Sequence, residues 1–168
     1  MKIKVCGLKD LGNIKDVLSL SPDYVGFICY DLSPRFISGL SAGDVANLPG
    51  TVAKTGVFVN EEFDFGRLNA YANTVDYFLF DTKTPKHGGS GKAFNWDILE
   101  KYNLNVPFFL SGGLSLDNLD EVEKIKHPAF YGVDLNSRFE TGPGIKDIKL
   151  LQKAFDLLRQ SLHNEIRS

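Results

Sequence analysis

Six short apolar runs recur along this chain, each followed by a stretch with helical spacing. The runs are IKVCG (3–7), DYVGFICY (23–30), KTGVFVN (54–60), VDYFLFD (75–81), VPFFLSGG (106–113) and FYGVDLN (130–136). They are rich in aromatic and β-branched residues, and several are apolar throughout. Such runs suit strands covered on both faces, as in a parallel sheet. Between them lie amphipathic patterns. Leu11, Ile14, Val17 and Leu18 form one stripe, and Phe65, Leu68 and Tyr71 form another. Ser41 and Asp44 have capping-box spacing. Asn95 precedes Ile98, Leu99 and Tyr102 as a cap, and Ser115 precedes Leu119, Val122 and Ile125. Ile148, Leu151, Ala154, Phe155 and Leu158 make the clearest stripe. Strand–helix alternation of this kind predicts one α/β domain with a parallel sheet, either doubly wound or closed into a barrel.

The chain's 168 residues are enough for one domain with a real core. A formal net charge of -2 gives no electrostatic footprint for nucleic acid or for an anionic membrane. No apolar run is long enough to span a bilayer, and MKIKVCGLKD has no signal-peptide pattern, so a cytoplasmic location is expected. Cys6 and Cys29 lack metal-type spacing and are expected as free thiols. His87, His127 and His163 are scattered, so a metal is not expected.

Sites in parallel α/β folds lie at the carboxyl ends of the strands. Side chains alternate along a strand, so if Ile3 and Val5 face the helices, Lys4 and Cys6 face the other way. Cys6 is then either a site thiol or a small buried hydrophobe. Asp81 ends an apolar run, either as a general acid in partly apolar surroundings or as a turn aspartate. Gly112 and Gly113 follow Phe108-Phe109-Leu110-Ser111, and Asp134, Asn136 and Ser137 end the last run. Consecutive loops after the last two strands of a barrel are a recurrent phosphate site. GGSGK (88–92) fails as a P-loop, because Lys86 and Ala93 stand where glycine and Ser/Thr are needed. It reads either as a loop beside the site, with Lys83 and Lys92 as anion contacts, or as a solvated surface loop.

Taken together, KIKVCGL (2–8), DYVGFICYDLSPRFIS (23–38), KTGVFVN (54–60), DYFLFDTKTPKHGGSGKAFNW (76–96), PFFLSGGLSLDNLDEV (107–122) and YGVDLNSRFETGPGIKD (131–147) resemble the phosphoribosylanthranilate isomerase family of tryptophan biosynthesis. The resemblance implies a (β/α)8 barrel and an Amadori rearrangement of a phosphorylated sugar without a cofactor. It implies Cys6 as general base, with a depressed thiol pKa, and Asp81 as general acid. Arg35 of SPRF would hold the anthranilate carboxylate, and Gly112, Gly113, Asn136 and Ser137 would lie at the phosphate. Asp134 belongs to the same substrate-binding set.

The departure from the family is length. Six runs stand where the family has eight strands. The chain passes from Val59-Asn60 straight into Glu61-Glu62-Phe63, so about two βα units are missing near residues 60–62. Strand number and barrel diameter are linked. The expectation is therefore a TIM-barrel-type parallel fold shortened to about six βα units, in a single domain over 1–168. It re-closes as a smaller barrel, pairs its open edges with a second copy, or survives as a sugar-phosphate-binding remnant. Monomer and homodimer both fit, and the expected partner is a small phosphorylated sugar, with neither nucleic acid nor membrane.

Overall fold

A computed structural model of the chain describes residues 1–41, 43–44, 48, 65–81 and 96–165. Five of the six expected runs form strands there: β1 (Lys2–Val5), β2 (Tyr24–Val25), β3 (Phe78–Asp81), β4 (Phe108–Ser111) and β5 (Phe130–Leu135). The run at 54–60, the join at 60–62, the GGSGK loop with Lys83 and Lys92, and Asn95 lie outside the described residues.

All five strands are parallel, in the order β2-β1-β5-β4-β3. The first strand pairs with the last, from Lys2↔Gly132 to Val5↔Leu135. That is the closure a barrel makes, and it decides against a doubly wound order. The sheet is strongly curled. Tyr24 on β2 and Tyr77, just before β3, belong to opposite edges, about 19 Å apart if the sheet were flat. Their hydroxyls are 3.0 Å apart, and Tyr24 Oη is also 3.0 Å from Tyr131 Oη.

Strand alternation sorts two apolar groups. Ile3, Val5, Phe78, Phe80, Phe108, Leu110, Val133 and Leu135 are buried in one outer cluster against the helices. Phe109 is fully buried yet stands apart from that cluster. It packs on the inner face, with ring centroids 5.3 Å from Tyr24, 5.4 Å from Tyr77 and 5.4 Å from Tyr131. Three tyrosines and a phenylalanine thus plug the interior toward the amino ends of the strands.

The β1–β5 pairing needs Gly132. A Cβ there would lie 2.1 Å from the carbonyl oxygen of Lys2, a backbone atom that cannot swing away. Gly132→Ala is expected to cost at least about 3 kcal/mol, read as a lower urea midpoint. An unchanged midpoint would contradict this register.

α1 (Leu11–Ser19) buries Ile14 and Val17, and Asp10 caps it by accepting from Asn13 N at 2.7 Å. α2 (Ile148–Glu165) buries Leu151, Ala154, Phe155 and Leu158 of the expected stripe, with Ile148 partly buried against the same core. Ser41 and Asp44 form the reciprocal capping box, with Asp44 N donating to Ser41 Oγ and Ser41 N to Asp44 Oδ2. The middle helices differ from expectation. Phe65–Tyr71, Trp96–Lys101 and Leu119–Lys124 are short 3₁₀ segments. Ser115 does not cap the last of these. Asn118 precedes it and turns its side chain back to Ser115 N and Gly113 O, away from the helical amides.

One element has no counterpart in the sequence reading. After a 3₁₀ turn (Ser137–Phe139), β6 (Glu140–Gly142) and β7 (Ile145–Lys146) form an antiparallel hairpin. Gly144 turns it with φ +83°. Among the described residues no helix is long and apolar enough to cross a membrane.

Candidate active site

On the inner face, above the tyrosine plug, the strands present a polar row. Register puts Lys4 beside Asp134 and Asp81 beside Ser111. Leu110 pairs with Val133, so Ser111 is level with Asp134. Lys4 Nζ donates to Asp134 Oδ1 at 2.8 Å, and Ser111 Oγ lies 3.3 Å from Asp134 Oδ2. Both charged side chains are nearly buried, at 6% and 2% exposure. Cys6 stands one step further along β1 on the same face, half-buried, with its N–H bonded to Leu135 O at 3.0 Å. The Lys4 ammonium is near enough to act on its thiol. Gly26 leaves room for both, since a Cβ there would lie 2.7 Å from Cys6 Sγ and 3.1 Å from Lys4 Nζ. The alternation of β1 thus turns Cys6 inward, as the sequence pattern predicts.

The electrostatics depart from expectation. Burial pushes the Cys6 thiol up, the Asp134 carboxylate pushes it further, and Lys4 only partly offsets them. The thiol of the free protein lies above its ordinary value, and the expected depression is corrected accordingly. A single lysine beside the sulfur cannot outweigh desolvation when its charge is shared with a carboxylate. Burial opposes the charge on Lys4, but Asp134 and Cys6 hold its pKa above the usual lysine range.

Asp134→Asn would leave a buried ammonium without its counter-charge. The expected loss is about 3–5 kcal/mol in chemical denaturation. Combining it with Lys4→Met should restore most of that loss, and a double variant as unstable as the single would contradict the pairing.

A second cluster surrounds Gly7. Arg35 lies in the turn after β2, where Phe36 N bonds Ser33 O. Its Nε donates to Glu140 Oε1 at 2.9 Å and its Nη2 to Oε2 at 2.7 Å. Lys146 Nζ donates to the same Glu140 at 2.6 Å and to Asn136 Oδ1 at 2.9 Å. A Cβ on Gly7 would meet Asn136 Oδ1 at 2.7 Å and Arg35 Cδ at 2.8 Å. Arg35 and Asn136 therefore flank the residue next to Cys6.

Gly112 and Gly113 follow β4 with φ +84° and +71°, a backbone open to glycine. Ser137 is exposed at the end of the adjacent β5. Glu140 and Lys146 were not singled out from sequence. Their only signal is the Gly-Pro-Gly between an acid and a base in ETGPGIK, which marks a hairpin that would bring the two side chains face to face. Among the described residues no cluster could hold a metal ion.

Comparison with known proteins bears on the whole arrangement. The family model for N-(5'-phosphoribosyl)anthranilate isomerase matches residues 63–157, more than half of the chain. The chain belongs to the N-(5'-phosphoribosyl)anthranilate isomerase family. The isomerase of Parabacteroides distasonis is 33% identical, covering 100% of this chain and 96% of that protein. That alignment runs over 216 residues against the 168 here, so the relative has positions with no counterpart in this chain. The solved isomerase of Thermus thermophilus superposes with a TM-score of 0.69 at 21% identity, over 95% of this chain and 99% of that one. A third is a family structure in complex with reduced 1-(o-carboxyphenylamino)-1-deoxyribulose 5-phosphate, with a TM-score of 0.60 at 19% identity, over 95% and 99% of the two chains. The fold is of the TIM-barrel type, and its described strands form a contiguous arc of such a barrel.

Proposed function

We propose that this family member isomerises N-(5'-phosphoribosyl)anthranilate to 1-(2-carboxyphenylamino)-1-deoxyribulose 5-phosphate, the Amadori step of tryptophan biosynthesis. Family membership supports the reaction. Within the chain, the observation that carries the reading is an inward-facing Cys6 beside the buried Lys4–Asp134 pair.

The chemistry needs an acid and a base around one sugar. Asp81 gives its proton to the furanose ring oxygen as the bond from that oxygen to C1 breaks. The nitrogen lone pair forms the C1–N double bond, leaving a protonated Schiff base. The Cys6 thiolate then takes the C2 proton, and the C–H electrons move to form an enolamine. Protonation at C1 and loss of the hydroxyl proton give the ketone. The raised thiol pKa suits this order. A more basic sulfur is a stronger proton acceptor, and the cationic Schiff base favours the thiolate at the moment it is needed. Arg35 takes the ring carboxylate through a planar fork. Gly112, Gly113, Asn136 and Ser137 take the phosphate, and Asp134 holds Lys4 in place.

The single domain over 1–168 lacks about two βα units of the family near residues 60–62, a reading supported by the longer alignment with the P. distasonis relative. Open edges would favour a homodimer over a monomer, which size measurement in solution resolves.

The deciding experiment follows the loss of substrate fluorescence on isomerisation. Turnover by the purified protein, well above a Cys6→Ala control, is the expected result. No difference between the two would leave a sugar-phosphate-binding remnant in place of an enzyme.

A further inference from the structure

We propose that Glu140 is a positioning residue for Arg35: its carboxylate holds one edge of the guanidinium, so that the other edge is presented above Gly7 to the carboxylate of the substrate. The inference rests on the role given to Arg35 above.

Glu140 has no capacity left for a ligand. Its side chain is 4% exposed, and it accepts from Arg35 Nε and Nη2, from Lys146 Nζ and, at 3.2 Å, from Gly144 N. Both of its oxygens are held by groups of the protein, Oε1 by three donors and Oε2 by Arg35. Lys146, 0% exposed, fixes the carboxylate from the facing strand of the hairpin. Arg35 is the outward member, at 22% exposure. Only Nε and one Nη2 hydrogen are used. Nη1 and the outer Nη2 hydrogen have no partner among the described residues, and they make a second fork suited to a planar carboxylate.

Charge points the same way. Arg35 and Lys146 are positive and Glu140 is negative, so the cluster carries one net positive charge, matched to one carboxylate. Without Glu140 the buried Lys146 ammonium would face the part-exposed Arg35, and Arg35 would swing toward solvent. Burial raises the Glu140 carboxyl, but Arg35 and Lys146 more than offset this and hold it below the usual glutamate range. It therefore stays ionised across the neutral range.

Glu140→Gln keeps the shape and removes the charge. Equilibrium binding is measured with two probes: reduced 1-(o-carboxyphenylamino)-1-deoxyribulose 5-phosphate, and the same compound without the ring carboxylate. The variant is expected to bind the first about 10-fold more weakly, or worse, and the second within about 2-fold of the parent. In an Arg35→Met background the substitution should have no further effect on the first probe. If Glu140→Gln does not fold, Glu140→Asp, which keeps the charge but shortens the reach, should weaken only the carboxylate probe. Equal weakening of both probes by either variant would mean a general structural role and overturn the inference. Failure of the parent protein to bind either probe would overturn the isomerase reading itself, and this inference with it.

Discussion

Cys6→Ala is expected to lower kcat by about 10³-fold while binding of the reduced product analogue stays near its parent value. Cys6 faces the interior at the end of β1, beside Lys4 and level with Gly26, where there is no Cβ to cover it. Removing the sulfur deletes the base but none of the groups that would grip the carboxylate or the phosphate. The pH dependence carries the sharper test. The thiol is raised by burial and by Asp134. In the free enzyme the thiolate fraction, read as the rate of Cys6 alkylation, should rise with pH and level off only above the ordinary thiol range, whereas kcat/KM also needs Asp81 protonated and does not follow the thiol alone. Lys4→Met removes the cation that lowers the thiol pKa most, so the rise should shift to still higher pH. An alkylation profile that levels off below the ordinary thiol value would contradict the raised thiol, and a Cys6→Ala variant with more than a tenth of parental kcat would remove Cys6 from the mechanism.

That the thiol sits high rather than low marks where sequence reasoning stops. The alternation Ile3, Val5 against Lys4, Cys6 is a local property, and the strand faces could be read from it. The same holds for the stripe of α2 and for the Ser41–Asp44 box. Whether Lys4 acts on Cys6 as a free cation depends on Asp134, 130 residues away, which claims the same ammonium. Desolvation likewise depends on what covers the strand end. Glu140 was invisible for a similar reason, being 105 residues from Arg35 and meaningful only once the hairpin folds back. The tyrosine plug draws on β2, β5 and the approach to β3, and each tyrosine alone reads as an ordinary strand aromatic. Periodicity marks these 3₁₀ segments as helical but not their helix type, because it reports which residues are buried, and segments of six or seven residues bury too few to favour one type.

Asp81→Asn should lower kcat by about 10³-fold with little change in KM, since the amide keeps the shape of the acid and neither the ring carboxylate nor the phosphate is assigned to it. Asp81 ends β3, in register with Ser111, and Ser111 is level with Asp134 and Lys4. Two strands, β5 and β4, separate β1 from β3, about 14 Å along the sheet. The curl that brings Tyr24 and Tyr77 together below makes those two strands facing walls rather than distant ones. A sugar between them would meet Cys6 from one side and Asp81 from the other, as an acid and a base acting in successive steps require. Because the steps are successive, the double variant Cys6→Ala/Asp81→Asn should be little slower than the slower single variant, not the product of both losses. Fully multiplicative losses would place both groups in one transition state. Retention of more than a tenth of kcat by Asp81→Asn would show that the ring opens without this acid, and the proton donor would have to come from another wall of the barrel.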